Sequence, residues 1–398
     1  MTSLKKYKKI VFFTSRFPYP LEKGDKLRAF YQIKELSKFY KVHLISLSES
    51  EVLNETKEQL SKYCESITVF KINWFQKWSK AIFQVVGSKP FQVGYFHHLS
   101  IQKKVNRLLD EIIPDTIFCQ LIRSTEYVKN YHNCPKILDY MDALSLGMQR
   151  RIKPKQILKN WIFRQEAKRL SRYENVIFEY FEFHSIISKQ DREHIFHEKR
   201  DSIVVIPNGV DRKFFNYKDA PKTFDLIFTG NMSYPPNVAA CKFIVHKVLS
   251  KLPSTIQLLL SGASPTKEVL DLKSSRVVVT GWVDDIRTSY QKGKIFIAPM
   301  LIGTGLQNKL LEAMAMGIPC VTTPLANNAL NAAPDSEIVL AESPEEFVIK
   351  INQLLSDFNY YKEISTNGRA FVKRHYNWEQ NTLLLIKLID RSLRLEEV

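Results

Sequence analysis

Short, unbroken apolar runs alternate with helical stretches along nearly the whole chain, and this alternation restricts the fold more than any other feature. Ile295-Phe296-Ile297-Ala298-Pro299-Met300 is typical. No polar residue interrupts it, as expected of a parallel strand covered on both faces. In the first half the pattern predicts strands at Ile10–Thr14, Val42–Leu47, Ile67–Phe70, Thr116–Cys119, Lys136–Tyr140 and Ser185–Ile187, with a helix over Asp25–Tyr40. In the second half it predicts strands at Leu226–Thr229, Gln257–Ser261, Val277–Thr280, Ile295–Pro299 and Cys320–Thr322. Helices are expected there over Ala239–Ser250, Pro344–Leu355 and, with an amphipathic pattern, Trp378–Leu395. Strands that alternate with helices build parallel sheets flanked by helices, so the expected class is α/β.

At 398 residues the chain is too long for one ordinary core and suggests two domains of about 150–200 residues each. Ile206-Pro207-Asn208-Gly209-Val210-Asp211 is a strong turn signal, and a charged stretch from Arg212 to Lys222 follows it. The pattern starts afresh at Phe224. The expected division therefore falls between residues 1–215 and residues 216 onward. Two doubly wound sheets facing each other would take ligands at the carboxyl ends of their strands, in the cleft.

Charge is unevenly shared between these halves. Of the formal net charge of +17, residues 1–215 carry +15, from 38 Lys and Arg against 23 Asp and Glu, and the remainder carries +2. A basic half suits nucleic acid, an anionic membrane surface or phosphorylated substrates. The densest cluster, from Arg150 to Arg172, interleaves Arg151, Lys153, Lys155, Lys159, Arg164, Lys168 and Arg169 with Ile152, Ile157, Leu158, Trp161 and Ile162. Two readings stay open: a basic helix with Trp161 packed inward, or a surface helix with Trp161 at a lipid interface. No stretch approaches the roughly 18–20 apolar residues that a membrane span needs. Ile10-Val11-Phe12-Phe13 is too short for a secretory leader. Cys64, Cys119, Cys134, Cys241 and Cys320 lack metal-type spacing and are expected as free thiols in a reducing cytoplasm. His184 and His194 likewise lack ligand spacing.

The stretch from Gly303 to Pro319 concentrates the chemistry. Gly303, Thr304 and Gly305 let the backbone turn tightly and approach a ligand, Leu306 follows, and Gly317 and Pro319 stop the helix. Within the helix that this turn opens, Gly305, Asn308, Lys309 and Glu312 fall at i, i+3, i+4 and i+7, on one stripe. Beside free helix N–H groups, that stripe suits an anion carrying a hydroxylated sugar. The same residues also fit packing alone, with Lys309 and Glu312 as a solvated pair.

These residues together resemble GT-B glycosyltransferases of the family 4 type, retaining enzymes that use nucleotide-sugar donors. The resemblance spans nearly the whole chain. It runs through Ser15-Arg16-Phe17-Pro18-Tyr19-Pro20 with Gly24-Asp25-Lys26-Leu27-Arg28, Ser188 with Asp191, Pro207-Asn208-Gly209-Val210-Asp211 and Thr229-Gly230-Asn231-Met232 with Pro236-Asn237. It continues through Thr280-Gly281-Trp282-Val283-Asp284-Asp285-Ile286-Arg287 and the Gly303–Pro319 stretch. The chain is similar to the sugar transferases associated with exopolysaccharide and sorting systems.

The resemblance implies two Rossmann-like domains, residues 1–215 for the acceptor and 216–376 for the donor, with residues 377–398 packing back on the first. It implies that Glu312 accepts hydrogen bonds from the donor ribose. The family's sugar-contacting glutamate falls at Thr304 here, so the backbone from Gly303 to Leu306 and the Thr304 hydroxyl would take its place. The Arg and Lys that similar enzymes keep after the first strand of this domain are replaced near Gly230 and Asn231 by neutral residues, leaving Lys309 to meet the diphosphate. Asp285 and Arg287 would line the base, with a helix cap and a solvated charge as the alternative. Gly24, Asp25 and Arg28 would form the phosphate and acceptor loop, Arg28 being otherwise a solvated helix charge. Asp142 stands where the family often has a histidine, either as a base or as a helix N-cap.

The implied activity is transfer of a sugar from a nucleotide diphosphate to a saccharide or polyprenyl-linked acceptor in cell-surface polysaccharide synthesis. No metal and no cofactor beyond the donor are expected. The expected place is the cytoplasm, at the inner face of the plasma membrane where the basic domain meets anionic lipid, with no nucleic-acid partner. The alternatives are a nucleotide-sugar epimerase on the same fold and a basic membrane or nucleic-acid binding protein with a vestigial cleft.

Overall fold

The computed structural model describes residues 7–72, 89–152, 157–216, 220–301 and 305–394. They fall into two units, Met1–Pro207 with Trp378–Val398, and Asn208–Asn377. The change of unit thus comes before residue 215. Val210 forms a parallel bridge with Asn377, and its N–H donates to the Tyr376 carbonyl at 2.8 Å. These bonds draw the residues after Pro207 into the second unit, ahead of the charged stretch.

The N-terminal unit is built on a sheet of strands β1 (Lys9–Thr14), β2 (Lys41–Ser48), β3 (Ser66–Lys71), β4 (Thr116–Gln120), β5 (Lys136–Asp139), β6 (Phe183–Ile186) and β7 (Val204–Val205). Their spatial order is β3-β2-β1-β4-β5-β6-β7, and every pairing is parallel. Alternation along the strands feeds two cores. Val11, Phe13, Ile45 and Leu47 enter one, while Ile10, Phe12, Val42 and Leu44 enter the other. The helix Trp378–Arg394 completes the second core with Leu385, Leu388, Ile389 and Leu393, and Trp378 stacks on Tyr31 at 5.0 Å.

The C-terminal unit carries β8 (Phe224–Thr229), β9 (Leu258–Ser261), β10 (Val277–Val279), β11 (Gly293–Ala298), β12 (Cys320–Thr322) and β13 (Val339–Leu340). The order is β10-β9-β8-β11-β12-β13, again parallel throughout. The direction of winding reverses between β8 and β11. Ligands of doubly wound sheets bind beyond the carboxyl ends of strands at such a reversal.

The two-residue strands β7 and β13 carry too little apolar pattern to be predicted. The helix expected at Ala239–Ser250 starts earlier, at Pro235, because two prolines fit a first helical turn. It passes into a wider turn over Ile244–Val248 before ending. Among the described residues, no helix is long and apolar enough to cross a membrane.

Candidate active site

The C-terminal unit places its polar residues at the β8–β11 reversal. After β8 the chain turns through Gly230 (φ +151°), a conformation side chains rarely adopt. A Cβ there would lie 2.7 Å from Asn237 Nδ2 and 3.0 Å from Lys309 Nζ. Gly262, after β9, is as constrained, since its Cβ would fall on the Gly230 carbonyl. Asn237, in the helix Pro235–Phe243, donates from Nδ2 to the Asn231 carbonyl at 2.8 Å and accepts from Lys309 Nζ at 2.6 Å. Asn231 Oδ1 is engaged by the Ser233 N–H. The Lys309 ammonium also sits 4.3 Å over the Phe228 ring, an attractive cation–π position.

Lys309 and Glu312 belong to the helix Asn308–Ala315. That helix begins at Asn308 rather than Gly305, because Gln307 keeps an extended backbone (φ −86°, ψ 91°) as its N-cap. Gly305 therefore precedes the predicted stripe. The Gln307 side chain makes no cap bond, which leaves the first-turn amides without a side-chain acceptor from that residue. Leu306 is buried, so only its backbone is available to a ligand. Asn308 Oδ1 accepts from Asn208 Nδ2 at 3.1 Å. Gly303 and Thr304 lie outside the described residues.

The solvated Lys309–Glu312 pair is not found among the described residues. Glu312 Oε2 instead accepts from the Tyr290 hydroxyl at 2.9 Å, and that hydroxyl lies 2.7 Å from Thr229 Oγ1. Burial pushes the Glu312 carboxyl up to about 7, against the opposing pull of Tyr290, Lys213 and Lys309. Burial also depresses the Lys309 ammonium to about 7. Both groups thus sit near their charge transitions with neutral hydrogen-bond partners, so an incoming polyanion with hydroxyls meets groups able to respond.

Asp285 and Arg287 pair with each other, so Arg287 is not a solvated charge, and the helix N-cap is Ile286. Arg287 Nε donates to Asp285 Oδ1 at 2.9 Å, the Arg287 N–H donates to the same oxygen at 3.0 Å, and Arg287 Nη1 reaches the Lys213 carbonyl. The arginine holds the Asp285 carboxyl below its usual range. The two charges neutralise each other at the start of the helix Arg287–Gln291.

In the N-terminal unit the winding reverses between β1 and β4, and charged residues gather past β1, β4 and β5. Gly24 and Asp25 open the helix Gly24–Leu36. Arg16 Nη1 donates to Asp25 Oδ2 at 2.7 Å. Burial would raise the Asp25 carboxyl, but Arg16 and Arg123 outweigh it and hold it below its usual range.

Arg28 corrects the sequence reading. It is 0% exposed, pairs through Nε and Nη2 with both Asp139 oxygens at 2.7 and 3.0 Å, and donates to the Ile206 carbonyl. It ties its helix to β5 and the end of the unit. A guanidinium so enclosed is a strut of the fold, neither a solvated charge nor a phosphate ligand.

Asp142 follows Met141, which has a left-handed backbone (φ 62°) just past β5. The next helix, Leu144–Gln149, is capped at Ala143, so Asp142 is not the N-cap. Burial and the nearby Asp191 carboxylate push its carboxyl up to about 7.

Thr229, Asn237 and Asn208 lie in the motifs that carry the resemblance, but their roles come from contacts with Tyr290, Lys309 and Asn308, and Tyr290 carries no sequence signal until the sheet brings its hydroxyl to Glu312. Arg123, past β4, was missed for the same reason. Its Nε donates to Gln92 Oε1 at 3.0 Å, and burial with the neighbouring Arg16 depresses it to about 10.

Comparison with known proteins bears on the fold and the family. Residues 223–357 match the family model described as glycosyl transferases group 1. The C-terminal unit is a group 1 glycosyl transferase domain. A curated relative from Klebsiella pneumoniae, described as an uncharacterized 44.6 kDa protein in the cps region, is 23% identical over 93% of this chain and 96% of its own length. Among solved structures, sucrose-phosphate synthase from Thermosynechococcus elongatus superposes with a TM-score of 0.73 at 15% identity, covering 96% of this chain and 98% of that one. HepE from Anabaena, solved in complex with UDP-glucose, gives 0.69 at 14% identity over 96% and 99%. The glycosyltransferase is therefore of the GT-B fold, as the motifs imply.

Proposed function

We propose that this glycosyltransferase moves a sugar from a nucleotide diphosphate to a saccharide or polyprenyl-linked acceptor, with retention at the anomeric carbon. The reading rests on one observation: the Lys309 ammonium lies against the Gly230 backbone, one helical turn from Glu312, at the winding reversal. The leaving diphosphate accumulates negative charge as the glycosidic bond breaks. Lys309 and the first-turn amides of its helix stabilise that charge where it develops. Glu312, oriented by Tyr290, is assigned to the donor ribose, whose hydroxyls need a two-oxygen acceptor. Asp142 on the N-terminal unit is assigned to a hydroxyl of the reacting sugars. No metal step and no further cofactor enter this account, since the cationic side chain and amides take the role of charge stabiliser.

HepE was solved with UDP-glucose, which favours a nucleotide-sugar donor here. The cps-region relative favours surface polysaccharide as the setting, with the basic N-terminal unit against the anionic inner membrane face. Thermal-shift titration with UDP, GDP and ADP and their sugars is the first test, because a ligand bound only by the native state raises Tm. One nucleotide class should stabilise the chain, and the matching sugar donor should release free nucleoside diphosphate only when an acceptor is elongated. No stabilisation by any of them would refute the reading, and sugar inversion without transfer would point to an epimerase.

A further inference from the structure

The helix Ile157–Phe178 separates its charges by face. Its acids point inward: Glu166 accepts from the Phe91 and Gln92 N–H groups at 2.8 and 3.0 Å, and Glu174 accepts from the Ser145 N–H at 3.0 Å. Its cations Lys159, Arg164, Lys168 and Arg172 are exposed. Ile157, Trp161, Arg164, Lys168 and Arg172 follow each other at spacings of four, three, four and four, which lines them up on one face. Arg164, Lys168 and Arg172 edge a groove of about 550 Å³ whose other wall includes Ile152 and the exposed Phe196. At the start of the same face Ile157 is 88% exposed and Trp161 is 51% exposed, and Ile162, also 51% exposed, flanks them about 100° further round the helix. Trp161 is not packed inward. Lys153 and Lys155 of this basic cluster lie outside the described residues.

A soluble surface gains nothing from exposing an indole and two isoleucines beside a row of cations turned away from every acid of their own helix. That combination fits an interface with negative charge at the rim and hydrocarbon beneath it. We infer that this face docks on an anionic phospholipid bilayer, with Trp161 and Ile157 entering the headgroup–acyl boundary, Ile162 at their flank, and Arg164, Lys168 and Arg172 pairing with lipid phosphates. The inference deepens the membrane side of the proposed function by naming the face that makes the contact.

The test is co-sedimentation of the full chain with vesicles of phosphatidylglycerol or of phosphatidylcholine, across a salt series, with the Tm shift given by UDP, GDP and ADP measured on the same samples. The chain should bind phosphatidylglycerol vesicles and release them as salt rises, with little binding to phosphatidylcholine. Replacing Arg164, Lys168 and Arg172 together by Gln should weaken partitioning by roughly tenfold to a hundredfold, from the attraction of each cation to the surface. Trp161→Ser should weaken it several-fold, while both variants keep the Tm shift with the nucleotide that stabilises the unaltered chain. Equal binding to the two lipids, or unaltered binding by either folded variant, overturns the docking face. Because nucleotide binding is read separately, intact vesicle binding by a chain that none of UDP, GDP and ADP stabilises would refute the donor assignment and leave the docking face standing.

Discussion

At the scale of single residues, the site depends on two groups held close to neutrality by burial. Glu312 ionises in the unfolded chain near its ordinary value of 4.5 but in the folded chain only near 7. The folded state therefore holds a proton that the unfolded state has lost, so this group stabilises the fold below about pH 4.5 and that contribution disappears as pH rises to 7. Glu312→Gln should keep the fold, flatten that segment of the Tm-against-pH curve, and reduce turnover by orders of magnitude. Near-normal turnover would remove Glu312 from its assigned role. Lys309 has the opposite arithmetic: its ammonium, depressed to about 7, leaves the lysine itself mostly neutral in the empty site above that pH. A bound diphosphate favours the charged form, so UDP binding at pH 8 should take up a proton, seen by calorimetry in buffers of different ionisation enthalpy. Lys309→Met should abolish the uptake and weaken UDP binding by roughly tenfold to a hundredfold, the range for a charge-assisted hydrogen bond.

At the scale of elements, two glycines and one arginine decide whether strands and helices meet correctly. Gly230→Ala adds a methyl within 2.7 Å of Asn237 and 3.0 Å of Lys309, on a backbone unsuited to a side chain. It should lower donor affinity and Tm together, because relieving the clash means moving the two residues that position the ammonium. Arg28 joins the helix Gly24–Leu36 to β5 and to the end of the N-terminal unit. Arg28→Met leaves Asp139 charged and buried, with only the Ser185 hydroxyl at 2.8 Å among its described partners. Denaturant unfolding should show a loss of about 3–5 kcal/mol, the usual cost of removing one partner of a buried pair. Adding Asp139→Leu should recover part of that loss. A loss below about 1 kcal/mol would contradict the strut assignment.

At the scale of the whole molecule, the chain leaves the N-terminal unit at Pro207 and returns to it at Trp378. Its last helix covers a core that the first helix and strands leave open. Leu385, Leu388, Ile389 and Leu393 are all buried there, and each such side chain contributes about 1.5–3 kcal/mol. That sum rivals the entire stability of a domain. A chain ending at Asn377 should therefore keep a protease-resistant C-terminal unit while its N-terminal unit is digested. Protection of both units on limited proteolysis would show that the helix is dispensable.

Periodicity was enough for the fold class, for most strands and for the helix carrying Lys309 and Glu312, because apolar runs and helix stops are local properties of the chain. Local pattern could not say that Arg28 faces inward, since a helical arginine looks the same in sequence whether it meets water or a distant Asp139. Nor could it find Tyr290, whose role exists only because strand order brings its hydroxyl to Glu312 across an interval of 22 residues. Charge sharing between β4, β5 and the loop after β1 followed the same rule. The residue types and their stripe were written in the chain, while partners, burial and hence the ionisation of each group arose only when the sheets closed.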